Sequence, residues 1–133
     1  MAVKKRTPQQ IGKSSRQKGA RGEREVVNAL KEAFPNDDWR RGYQRRVETD
    51  EPDVVPKGKA TRSWFKFWAE CKNTKAPNIV KAYHQTHEEQ KDQDEELPGL
   101  VFSKKTNDPS GWLVTMDLKM FLKMLAVWKA WHE

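Results

Sequence analysis

Glu70 and Lys72 flank Cys71 in a stretch, residues 64–72, whose aromatic and apolar content predicts a β-strand. Residues two apart in a strand project from one face. A carboxylate and an ammonium therefore stand side by side, while Phe65, Phe67, Ala69 and Cys71 make the opposite face apolar. Taken alone, the tripeptide reads better as a cross-face ion pair on a half-exposed strand. The pair Pro52-Asp53 changes that reading, because it opens a second short strand over residues 53–56. Carboxylates from two adjacent strands suit a hard divalent cation, Mg²⁺ with Mn²⁺ as a substitute, and leave positions for water and phosphate. Such a cation neutralises a phosphodiester and lowers the pKa of a bound water. Lys72 would orient or deprotonate that water and offset charge developing on the phosphate.

A third acid lies upstream. Val26, Val27 and Leu30 form the apolar stripe of an expected helix, and Glu23 precedes them by three, four and seven residues, which puts it on the same stripe. Glu25 falls on the solvent side. An acid in line with an apolar face needs a partner, since burying an unpaired charge is costly. A metal held with Asp53 and Glu70, or Lys72 itself, would supply one. The catalytic set expected from the residues is Glu23, Asp53, Glu70 and Lys72, with the three acids as metal ligands.

The elements that must position these groups follow from periodicity and turn residues. A helix is expected over residues 15–34, ended by Pro35-Asn36-Asp37-Asp38. An Arg-rich strand follows over 39–47, then the strand 53–56, a turn at 57–59 and the strand 64–72. A second helix is expected over 78–96, two more strands over 100–103 and 112–116, and a last helix over 117–131 with Asp117 as its cap. The order predicts an α/β domain, a central mixed sheet flanked by helices. The length of 133 residues fits one domain: residues 1–14, nearly devoid of apolar side chains, as a mobile basic arm, and 15–133 as the folded part with an additional C-terminal helix. That helix is apolar on two sides, which suits a sandwiched element or an interface between subunits.

Charge points to the partner. Up to Lys75 there are 19 Lys and Arg against 10 Asp and Glu; beyond it there are 7 against 9. A basic half joined to a slightly acidic half suits a polyanion docking on one side. Arg40, Arg41, Arg45 and Arg46 flank the acids and are candidates for phosphate contacts through their planar forks, with Lys18, Arg21 and Arg24 extending the surface. The acidic run Glu88, Glu89, Asp92, Asp94, Glu95 and Glu96 is expected to face away from it. His84 and His87 have the spacing of metal ligands but share a stripe with Ile79, Val80 and Tyr83, which favours a packing role. One cysteine allows no internal disulfide. No apolar run nears the ~20 residues of a membrane span, and the first twenty residues lack the apolar core of a secretory signal. The expectation is a cytoplasmic protein with no membrane role.

The succession Lys18-Gly19-Ala20-Arg21-Gly22-Glu23-Arg24-Glu25-Val26-Val27, an Arg-rich strand, Pro52-Asp53-Val54-Val55 and Glu70-Cys71-Lys72 resembles the archaeal-type Holliday junction resolvases of the PD-(D/E)XK nuclease superfamily. Pro98-Gly99-Leu100-Val101-Phe102 and Gly111-Trp112-Leu113-Val114 are similar to that family's closing strands, so the likeness spans residues 18–117. The resemblance implies a restriction-endonuclease-like fold and a homodimer that cuts four-way DNA junctions with Mg²⁺. It also implies a metal site of Glu23, Asp53 and Glu70 with Lys72 as the catalytic lysine. The segment before Lys18, the helix after Asp117 and the loops 47–51 and 57–63 depart from the pattern. They leave room for a nuclease of ordinary duplex DNA or one acting in phage genome processing; a non-catalytic nucleic-acid-binding protein is a further alternative, against which the intact set of Glu23, Asp53, Glu70 and Lys72 speaks.

Overall fold

The computed structural model describes residues 8–42, 51–109 and 111–133. Its elements are α1 (Pro8–Ala33), β1 (Asp38–Arg41), β2 (Val54–Lys57), α2 (Gly58–Trp64), β3 (Trp68–Thr74), α3 (Ile79–Glu88), β4 (Gly99–Lys105), β5 (Leu113–Thr115) and α4 (Leu118–Trp131). The expected α/β layout is present as one five-stranded mixed sheet in the order β1-β2-β3-β4-β5. Only β3 and β4 run parallel, and α3 makes the crossover between them.

The two faces of β3 divide the molecule. Ala69 and Cys71 turn towards α1, whose Val26, Val27 and Leu30 join Trp39, Val54, Phe65, Leu100 and Phe102 in the main core. Trp68, Glu70 and Lys72 turn the other way, by alternation. That side of the sheet is covered by α3, which buries Ala82 and Thr86. Trp39, Trp64 and Phe65 pack edge to face at one end of the core, with the Phe34 ring tilted against the two tryptophans.

Several boundaries differ from expectation, each for a local reason. Helix α1 begins at Pro8, so residues 8–14, expected in an arm, belong to it; Pro is well suited to a first helical turn. Residues 57–63, read as a turn and loop, hold α2, anchored by Thr61. The Thr61 hydroxyl donates to Asp37 Oδ1 at 2.9 Å and accepts from the Asp38 N–H at 3.0 Å. Strand β3 therefore starts at Trp68 rather than at residue 64. Helix α3 stops at Glu88, well short of residue 96, because acids at a helix C-terminus oppose its dipole. The Asp117 cap holds as read, its Oδ1 accepting from the Met120 N–H, and Asn78, expected inside the second helix, caps α3 by accepting from the Lys81 N–H.

Candidate active site

Strands β2 and β3 pair in register only at Val54 and Ala69. Asp53 stands one residue before that pair. Its N–H donates to the Ala69 carbonyl at 2.9 Å, and its Oδ2 accepts from the Cys71 N–H at 2.8 Å. The carboxylate thus takes the rung a backbone carbonyl would have supplied, and its direction is fixed by β3 itself. On its other side, Gly42 donates its N–H to the Asp53 carbonyl at 3.0 Å. A Cβ at Gly42 would meet the Pro52 carbonyl oxygen at 2.0 Å, so the turn into Asp53 requires glycine there.

Glu70 is 3% exposed. It shares the indole N–H of Trp68, 3.3 Å from Glu70 Oε1, and contacts the carboxyl groups of Glu89 and Asp53. Burial is the main cause that pushes its pKa far above the usual carboxylate range, and the neighbouring acids add to it. Burial likewise raises the Cys71 thiol, which faces the core, and makes it an inert packing group. Lys72 projects beside Glu70, half-buried, and forms no ion pair among the described residues.

Glu23 is 7% exposed and arrives from the α1 side. Gly22 lets α1 lie this close to β3: an added Cβ would meet the Asn73 Cβ at 2.9 Å and the Trp112 ring at 3.1 Å. Arg41 donates to Glu23 Oε2 from Nε at 3.0 Å and from Nη2 at 2.8 Å. Burial raises the Glu23 pKa, and Asp53 raises it further, against the lowering effect of Arg41. Asp53 is thus the acid coupled to both of the others. Glu23 and Glu70 approach from opposite faces of β3 and meet only through Asp53, and among the described residues no three His, Cys, Asp or Glu side chains form a group that could hold a metal ion.

The remaining candidates separate into two groups. Arg41 is engaged with Glu23, and Arg40 grips Glu51 through Nη1 at 3.0 Å and Nη2 at 2.6 Å; both expected phosphate contacts are internal ion pairs here. Lys18 is partly exposed, Arg21 and Arg24 are exposed on α1, and Arg45 and Arg46 lie outside the described residues. His84 is exposed and His87 bonds Glu96, so neither packs in the core. Glu25, placed on the solvent side, accepts from Trp112 Nε1 at 2.9 Å and pairs with Lys104 at 3.4 Å. A tryptophan near a core seeks a partner for its N–H, which was the available signal for that contact. Glu89 leaves the expected outward acidic run altogether and turns in beside Glu70.

Among the described residues, no helix is long and apolar enough to cross a membrane. Comparison with protein-family models, with curated proteins and with solved structures returned no match.

Proposed function

We propose that this chain is a homodimeric, Mg²⁺-dependent endonuclease that hydrolyses phosphodiesters in branched DNA, on a PD-(D/E)XK fold. The observation that carries the reading is the pairing of Asp53 with the Glu70-Cys71-Lys72 strand. Asp53 is bonded to the middle residue of that tripeptide, so an acid just ahead of β2 stands against the strand that carries an acid and a lysine. With the short α2 set aside, the order helix, three strands, helix, two strands, helix around a mixed sheet is compatible with that fold.

The residues suit a divalent cation. The donors are all carboxylate oxygens, the class Mg²⁺ and Mn²⁺ prefer, and Asp53 lies between Glu70 and the Arg41-bonded Glu23. Burying acids together is costly without a counter-charge. Asp53 and Glu70 would hold the ion, with Glu23 as the further acid. Bound there, the ion would supply a water of lowered pKa and neutralise the phosphate. Lys72, free of ion pairs among the described residues, would hold that water by its ammonium. The exposed Arg21 and Arg24 would take backbone phosphates.

The dimer rests on α4. It buries no residue, and Leu118, Phe121, Leu122, Leu125, Trp128 and Trp131 are exposed along it. An apolar patch of this extent marks an interaction surface. A junction needs two symmetry-related cuts, and a chain with one site meets that need as a twofold dimer. The test is a cleavage assay with Mg²⁺ on a four-way junction and on linear duplex of the same sequence. Paired nicks on opposing junction strands are expected. Equal cutting of linear duplex would leave a general nuclease, and no cutting of either would leave a non-catalytic binder.

A further inference from the structure

Glu89, the residue that closes α3, is an acid where an acid has little local reason to be. The C-terminal end of a helix is electronegative, and Glu70 stands against it. Yet its carboxylate is held at both oxygens: Trp68 Nε1 donates to Oε2 at 3.0 Å, and Gln85 Nε2 donates to Oε1 at 2.9 Å. The same Trp68 N–H lies 3.3 Å from Glu70 Oε1. One indole donor is therefore divided between two carboxyl groups, one from β3 and one from α3. Trp68 is itself buried, so this donor cannot swing out to water.

We infer that Glu89 is a positioning residue for Glu70. Gln85 fixes Glu89, Glu89 and Trp68 fix the carboxyl of Glu70, and the added negative charge strengthens that end of the site for a divalent cation. The inference rests on the nuclease reading. Groups that orient a metal ligand from behind govern affinity nearly as strongly as the ligand itself. Two alternatives are set aside by the contacts. The backbone N–H of Glu89 closes α3, but its side chain takes no part in that, bonding Trp68 and Gln85 instead. It is also no surface ion-pair partner, since both of its bonds go to neutral donors.

Mn²⁺ binding by calorimetry on the full chain, without DNA, tests this in wild type, Asp53→Asn, Glu89→Gln and Trp68→Phe, alongside melting temperature in metal-free buffer. Glutamine at 89 can keep both hydrogen bonds, because the Gln85 amide can turn to accept. Wild type is expected to bind Mn²⁺ and Asp53→Asn to lose it. Glu89→Gln should bind about 10-fold or more weakly with an unchanged or higher melting temperature, because a like charge beside Glu70 is gone. Trp68→Phe, which keeps a ring in place and removes the shared donor, should also weaken binding. If Glu89→Gln binds Mn²⁺ as wild type does, or weakens only in step with a falling melting temperature, the positioning role is overturned while the nuclease reading stands. If wild type takes up no Mn²⁺, the reading itself falls, and this inference with it.

Discussion

Arg41 Nη2 stands 2.8 Å from Glu23 Oε2, joining the first strand to the first helix beside the candidate site. The Glu23 side chain is 9% exposed and that of Arg41 27%, so the pair is largely sheltered and removing the guanidinium takes two hydrogen bonds from a buried acid. Arg41→Ala is expected to cost about 1–3 kcal/mol of stability, read as a lower denaturant midpoint. Adding Glu23→Gln should recover part of the loss, since the acid that Arg41 balanced is then neutral. Additive losses in the double variant would show that the pair carries no coupling.

Asp53→Asn and Glu70→Gln should each slow cleavage by about 100-fold or more while DNA affinity, measured by anisotropy, is kept or improved. The basic surface on α1 is untouched by either change. Wild-type cutting by either variant would remove the acids from the chemistry. Lys72→Ala should also cut poorly yet still take up Mn²⁺, since the lysine acts on water rather than as a ligand.

The metal-free protein should lose stability as pH rises. Glu70 and Glu23 have raised pKa values in the fold, from an ordinary value of 4.5. The folded state therefore binds more protons than the unfolded one above that value, and the contribution present in acid is lost on the way up. With a chelator present, the melting temperature should fall between about pH 5 and 8. Glu70→Gln should flatten that slope, and Mg²⁺ should raise the melting temperature most at the alkaline end. An identical slope in the variant would mean that Glu70 is not the titrating group.

Leu122→Glu with Leu125→Glu should halve the sedimenting mass at micromolar protein without lowering the melting temperature of the subunit, because neither side chain is buried within it. The monomer should still nick DNA, but lose paired cuts on a junction. A wild type that sediments as one chain would sink the dimer.

Much of the candidate site was legible because it depends on strand alternation. The strand begins at Trp68 rather than at residue 64, but residues 70–72 lie inside it either way, so Glu70 and Lys72 share a face and Cys71 joins the core. Glu23 was placed by its helical stripe, but its partner was not: Arg40 and Arg41 are adjacent in sequence, and only the register of β1 with β2 sends one to Glu51 and the other to Glu23. Glu89 was hidden among five neighbouring acids, since what turns it inward is the indole of Trp68, distant in sequence. Helix α2 escaped notice because it has no apolar period and buries little beyond Thr61.

The bond between Asp53 Oδ2 and the Cys71 N–H has a consequence for how such a chain can change over generations. Asp53 is at once a candidate ligand and part of the seam between two strands, so losing it harms chemistry and fold together. Lys72 carries no such double duty, having no ion pair among the described residues. For the nuclease proposed above, a descendant that binds DNA without cutting it would arise most easily through Lys72, with its set of acids left intact.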